Sequence, residues 1–172
     1  MTKEPTVADW HLQEHDGTAT QAMLEELADL YVEVYSEQSH SDDSIHRRES
    51  FLERTSRQAD RPGFRLITAH TESSDEVIGY SFGFPFETGQ WWRGAFDSPE
   101  HVVQANKFAV IELILRATWR GHELGRTLMD QLLAGYEGQY ATLLARPDTP
   151  ARSMYARWGW NGSPRCNQLR TR

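Results

Sequence analysis

The sequence predicts an α/β (α+β) fold: a mixed, mostly antiparallel central sheet flanked by helices on both faces. Three observations predict it. Val110-Ile111-Glu112-Leu113-Ile114-Leu115 is an apolar, β-branched run, and a turn with Arg120, Gly121 and Gly125 follows it. Beyond that turn Leu124, Leu128, Leu132 and Tyr136 recur every four residues, with Met129 and Leu133 beside them, so strand gives way to helix. Upstream, Phe64–Thr71 and Val77–Phe86 flank the turn residues Ser73-Ser74-Asp75 and read as a hairpin. Downstream, Gln139–Ala145 and the stretch from Pro150 supply a further strand and helix.

In order along the chain, residues 1–6 read as a ragged tail and Val7 to His15 as a first strand. Thr18-Ala19-Thr20-Gln21 fits a capping box; Met23, Leu27, Leu30, Tyr31 and Val34 then keep helical spacing, so one helix should end near Ser36. The polar run Glu37 to Ser44 carries Asp and Ser suited to capping a second helix, from about Ile45 to Ala59. Arg61-Pro62-Gly63 breaks the chain before the hairpin, and Gly83 with Pro85 predicts a bend or bulge near the end of its second strand. Residues 87–106 read as an irregular insertion with Trp91-Trp92 and Pro99. After the central strand and helix come the strand Gln139–Ala145, a helix Pro150–Trp158 opened by Thr149, and a last strand near Arg165–Arg170. Repeats, low-complexity tracts and linkers are absent from the sequence, so residues 1–172 are expected to form a single domain.

Bulk properties narrow the function. Seven Phe, six Trp and six Tyr within 38% hydrophobic residues argue for a folded core rather than a disordered chain. Cys166 is the only cysteine, so no intramolecular disulfide can form, which suits a reducing, cytoplasmic setting. No apolar run approaches a membrane span and the N-terminus lacks a signal-peptide core, so no membrane partner is expected. A formal net charge of −7 disfavours nucleic acid and favours cationic partners such as amines.

A strand, a basic glycine-containing turn and a helix together make a device for holding an anion. The first helical N–H groups lack intrahelical partners and carry the positive end of the macrodipole. Glycine lets a phosphate approach the backbone, and Arg120 and Arg126 add full charges. A pyrophosphate is the natural ligand of such a turn.

These residues resemble the GNAT superfamily of acetyl-CoA-dependent N-acetyltransferases. The family's E-L-x-V-x-P-x-Y-R-G-x-G-x-G motif is similar to the segment from Glu112 to Gly125, without a gap. A second family element, N-x-x-A-x-x-L-Y-x-x-x-G-F, is similar to Asp148 through Trp160. The resemblance implies a GNAT-like sheet whose central strands splay at a cofactor cleft. It implies that acetyl-CoA is bound as co-substrate, its phosphates on Arg120, Gly121, His122, Glu123, Leu124, Gly125, Arg126 and Thr127. The pantetheine arm would pair with Leu113, Ile114 and Leu115, and Asp148 would accept one of its N–H bonds or cap the following helix. Tyr155 matches the family's general acid toward the coenzyme A thiolate; a phenol is protonated at neutral pH. Packing is its alternative role, since Met154, Tyr155 and Trp158 share helical spacing.

Glu112 sits where many members carry a glutamate that takes the ammonium proton; otherwise it is a strand carboxylate paired with an arginine. The next strand, where some relatives place the base, has Leu143 there, which leaves Glu87, Asp42 and Asp43 as the other carboxylates. Asp42 and Asp43, in the loop between the first two helices, and Trp91 and Trp92 are the candidate acceptor contacts, the tryptophans by cation–π stacking or as a hydrophobic plug. His40, Asp42, Asp43 and His46 match no metal-site spacing, so no metal is expected, and Cys166 is read as structural.

Two departures from the family pattern stand out. Glu123 stands where the motif has a glycine, placing a carboxylate near the pyrophosphate and removing glycine's freedom at positive φ. Weakened or re-aimed cofactor binding is the expectation. Asp148 replaces an asparagine and cannot donate. The expected activity is acetyl transfer to a primary amine of a small cationic molecule, aminoglycoside-like or polyamine-like, by direct attack in a ternary complex. The alternatives are a protein or peptide amine as acceptor, and a non-catalytic acyl-CoA sensor or interaction module. Dimers are common in the family, which leaves a homodimer open.

Overall fold

The computed structural model describes residues 9–37, 44–94, 99–145, 150–162 and 167–171, with backbone only for 44–46, 162 and 167–171. Asp42, Asp43, Asp148, Thr149 and Cys166 lie outside the described residues. The chain forms two compact units, Met1–Phe82 with Glu112–Leu132, and Gly83–Ile111 with Leu133–Arg172.

The first unit holds β1 (Trp10–His15), α1 (Gly17–Gln21), α2 (Leu24–Ser36), α3 (Ser44–Ala59) and β2 (Arg65–Thr71). It also holds the first part of β3 (Val77–Phe86), the last part of β4 (Lys107–Leu115) and most of α5 (Leu124–Leu133). Its strands lie in the order β1-β2-β3-β4. β1 runs antiparallel to β2 from Trp10↔Thr71 to His15↔Leu66. Leu66 through His70 are buried without alternation, as in a strand covered on both faces. The polar side chains among them are satisfied locally: Thr68 Oγ1 lies 2.7 Å from His70 Nε2 and 2.8 Å from His15 Nε2. An aromatic core of Phe51, Phe64, Tyr80 and Phe82 joins α3 to the sheet, and Tyr80 donates its hydroxyl to the Leu27 carbonyl of α2 at 2.9 Å.

In the second unit the order is β3-β4-β5-β7-β6, with β5 Tyr140–Leu144, β6 Asn161–Gly162 and β7 Asn167–Thr171. β4 and β5 are parallel over three pairs, Lys107↔Tyr140 to Ala109↔Thr142, while β4 itself continues to Leu115. β5 and β7 are antiparallel. The sheet is therefore mixed, as expected. Gly83 explains itself by close approach: a Cβ there would lie 2.1 Å from the Ala109 carbonyl oxygen. The insertion contains a short helix, α4 (Glu100–Val103), and α6 spans Pro150–Arg157.

The expected first helix is two. Asp16, not Thr18, caps α1, its carboxylate accepting from the Ala19 N–H at 2.8 Å. Gly17 presses on Ala59, where a Cβ would lie 1.9 Å from the carbonyl oxygen. The Gln21 and Ser56 side chains bond each other at 3.0 Å. These contacts fix α1 to α3, whereas α2 must turn Leu27, Ala28, Leu30 and Val34 into the core. The chain meets both demands by breaking at Ala22-Met23, where Met23 has φ −120°. Among the described residues no helix is long and apolar enough to cross a membrane.

Candidate functional site

β4 ends at Leu115, and the Arg116 N–H is held by the Ile78 carbonyl at 2.9 Å. A 3-10 turn, Ala117–Trp119, leads to Gly121 with φ 81° and Glu123 with φ 64°. α5 then starts at Leu124. Both left-handed residues flank His122. A side chain on Gly121 would meet nothing within 4 Å, so glycine is required there by conformation, not by space. Glu123 holds its conformation without glycine's help, against a cost of about 1–2 kcal/mol. Its carbonyl is fastened twice by Thr127, to the N–H at 3.0 Å and the hydroxyl at 2.9 Å. The amides of Leu124, Gly125 and Arg126 thus lie ahead of the intrahelical ladder, at the positive end of the helix dipole.

The side chains around this turn are distributed unevenly. Leu124 and Gly125 are buried and anchor the helix start, while Glu123 and Arg126 are exposed. Arg126 leans along the helix toward Asp130, 4.0 Å away. Arg120 turns back along the strand: its Nε donates to the Leu115 carbonyl at 3.1 Å and its Nη2 lies 3.6 Å from Glu37. Leu113 and Leu115 are half-buried, and Ile114 is fully buried.

One strand residue earlier, Glu112 is only 14% exposed at its side chain. Two groups approach its carboxylate, both at long range. The Tyr35 hydroxyl from α2 donates to Oε2 at 3.5 Å, and Arg54 Nη2 from α3 lies 3.9 Å from Oε1. Burial raises the acid from its usual value to about 7, against the opposing pull of Arg54 and the Tyr35 hydrogen bond. Arg54 lies over the Tyr31 ring, 5.9 Å from its centroid, and Tyr31 and Tyr35 are 4.4 Å apart, one turn from each other on α2. Ser81 donates to the Glu112 carbonyl at 2.9 Å, which fixes the strand at this point.

The remaining candidates lie in the second unit. Tyr155 on α6 is buried, with Trp158 and Trp160 edge-on at 5.7 and 6.1 Å between ring centroids. The carbonyl of Tyr155 accepts from the N–H groups of Trp158 and Trp160, both at 3.0 Å, closing the helix end. The Trp92 indole N–H is committed to Thr142 Oγ1 at 2.9 Å and its ring meets Phe86 edge-on at 4.9 Å, the arrangement of a plug. Trp91, half-buried, precedes it.

The first unit therefore brings together Glu112, Leu113 to Leu115 and the turn Arg120 to Thr127, and the second holds Tyr155 and the tryptophans. Sequence reasoning missed Tyr35 and Arg54. Their signal was present but faint: Tyr31 and Tyr35 stand four apart on α2, and Arg54 stands three beyond the buried Phe51 on α3, which puts each near an inward face.

A model of the acetyltransferase (GNAT) family matches residues 21–160. Among solved structures, the chain is similar to the PaiA N-acetyltransferase from Thermoplasma acidophilum in complex with coenzyme A: TM-score 0.66, 13% identity, 95% of this chain and 99% of that one. It is similar to an acetyltransferase from Thermus thermophilus: TM-score 0.60, 16% identity, 98% of this chain and 100% of that one. An aminoglycoside acetyltransferase from an uncultured soil metagenomic sample matches with TM-score 0.57 at 14% identity, over 90% of this chain and 93% of that one. At these identities the likeness is one of fold. No curated protein sequence matches the chain.

Proposed function

The chain belongs to the GNAT acetyltransferase family, whose members carry out acetyl-CoA-dependent N-acetylation, and from that premise we propose how this one works. It transfers the acetyl group to a primary amine of a small cationic molecule, aminoglycoside-like or polyamine-like, within a ternary complex and a single catalytic domain. The acidic balance of −7 supports a cationic acceptor. One observation carries the reading. Glu123, standing where the family's motif has glycine, keeps a left-handed backbone of φ 64° and an exposed side chain. The amides from Gly121 to Arg126 can then serve a pyrophosphate, with the carboxylate turned to solvent, while the Thr127 N–H stays on the Glu123 carbonyl.

The chemistry is divided among few groups. Glu112, an acid of about 7, takes the ammonium proton. The freed nitrogen lone pair forms the bond to the thioester carbonyl carbon, and the carbon–sulfur bond breaks. Tyr155 protonates the departing thiolate, and the proton shed by the new amide nitrogen restores the phenol. Backbone groups of Leu113 to Leu115 align the pantetheine, and Arg120 would exchange the Leu115 carbonyl for a cofactor phosphate. A cytoplasmic homodimer is part of the same proposal, supported by the lone cysteine and by family habit.

The test is release of free thiol across a panel of amines, wild type against Tyr155→Phe. The expected result is turnover with cationic amines and a loss in kcat on the order of 10²-fold in the variant. Equal rates would remove Tyr155 from the mechanism. Calorimetric binding of acetyl-CoA without turnover on any amine would instead favour the acyl-CoA sensor.

A further inference from the structure

The Glu112 carboxylate is enclosed by groups from three elements. Tyr31 and Tyr35 come from α2, Arg54 from α3 and Tyr80 from β3. Tyr80 is pushed well above the ordinary tyrosine range, by burial first and by the Glu112 charge next, so it stays neutral. Its hydroxyl is spent on the Leu27 carbonyl, and Tyr35 offers Glu112 only a long bond of 3.5 Å. Arg54 is the charged member of this set.

From this arrangement we infer that Arg54 is a positioning residue for Glu112: held beside the Tyr31 ring, it favours the ionised carboxylate and helps to aim it. The inference rests on the reading of Glu112 as the amine's base. Its support is geometric. At 3.9 Å the pair is too loose to neutralise the carboxylate, yet close enough to favour its charged form. Arg54 is 38% exposed, so a guanidinium alone would wander; the cation–π contact with Tyr31, 5.9 Å from the ring centroid, restrains it. The Arg54 side chain also approaches one carboxylate oxygen from the α3 side while Tyr35 approaches the other from α2, so each oxygen faces a different element.

The experiment compares the pH dependence of kcat/KM for wild type, Arg54→Gln and Arg54→Lys by thiol release. It is paired with ¹³C NMR titration of the Glu112 side chain in protein without substrates, the signal assigned by its loss in Glu112→Gln. Arg54→Gln should move the acid limb to higher pH, with a loss of roughly three- to eight-fold at pH 6.5 beyond any change at pH 9. The NMR titration should move the same way, and Arg54→Lys should recover most of both. An unmoved limb and titration, or a loss uniform at every pH, would overturn the inference. If the NMR titration moves while thiol release shows no acid limb, Arg54 still governs Glu112, and it is the role of Glu112 as base that falls.

Discussion

Glu123 is the residue on which sequence and structure speak most differently. Aligned with the family motif, it announced itself as a departure, and the loss of glycine's freedom was the natural reading. The backbone nonetheless stays at φ 64°, because Leu124 is buried on one side and Thr127 clasps its carbonyl on the other. Local propensity is overruled by tertiary context, which a single sequence does not display. The two costs of this residue, strain and charge, can be separated. Glu123→Gly should raise stability by about 1 kcal/mol and tighten coenzyme A by a few-fold, on the order of 1 kcal/mol for one screened charge. Glu123→Ala removes the charge but keeps the strain, so it should tighten binding with little gain in stability. Calorimetry with coenzyme A and thermal melts read the two quantities independently. If Ala and Gly behave alike in both, the left-handed backbone is not what distinguishes this position.

At the scale of elements, legibility follows periodicity. α5 was expected to run through Tyr136 but stops at Leu133, ahead of Gly135 at φ 77°, while β3 and α3 were readable nearly to the residue. The break between α1 and α2 was not, because it arises from contacts of Gly17 and Gln21 with α3, far along the chain. β4 was read as starting at Val110 but begins at Lys107, a residue that looks like surface. Lys107 is fully buried, and burial lowers its pKa. Its ammonium donates to the carbonyls of Val103 at 2.7 Å, Glu87 at 3.2 Å and Ala105 at 3.4 Å. One side chain thus closes α4 and ties both ends of the insertion to the root of the strand. Lys107→Met keeps the volume and removes the donor. It should cost about 2–3 kcal/mol in urea unfolding, the range of hydrogen bonds to a charged donor plus the stranded carbonyls. A loss under about 0.5 kcal/mol would mean that other donors reach those carbonyls readily.

For the whole molecule, the fold class followed from the sequence because strand-turn-helix and hairpin patterns are local, whereas the environment of Glu112 is assembled from α2, α3, β3 and β4 and left only a faint local trace. That environment makes global stability depend on pH in a way that isolates one residue. The folded acid of Glu112 stands at about 7 against 4.5 in a free chain. Between those values the folded state binds more protons than the unfolded one, so the contribution of Glu112 to stability is greatest on the acid side and is lost as pH rises through about 7. His15 works in the opposite sense. Its pKa is lowered, by burial first and the neighbouring His70 next, so the unfolded chain takes up the proton first and stability falls as pH drops below 6.5. The melting curve of the wild type therefore mixes opposing slopes, but the difference between wild type and Glu112→Gln does not. Glutamine keeps the shape and the Tyr35 contact while carrying no charge. Near pH 4, where the carboxyl is protonated in the folded state and largely so in the unfolded one, the two proteins should be equally stable. At pH 8.5 the variant should be more stable by about 1–3 kcal/mol, since the wild type must then hold a poorly compensated carboxylate in the core. A variant inactive yet more stable at alkaline pH is the signature of a charge kept for chemistry at the expense of the fold; a difference that stays flat from pH 5 to 8.5 would show that Glu112 is ionised throughout and well satisfied by its neighbours.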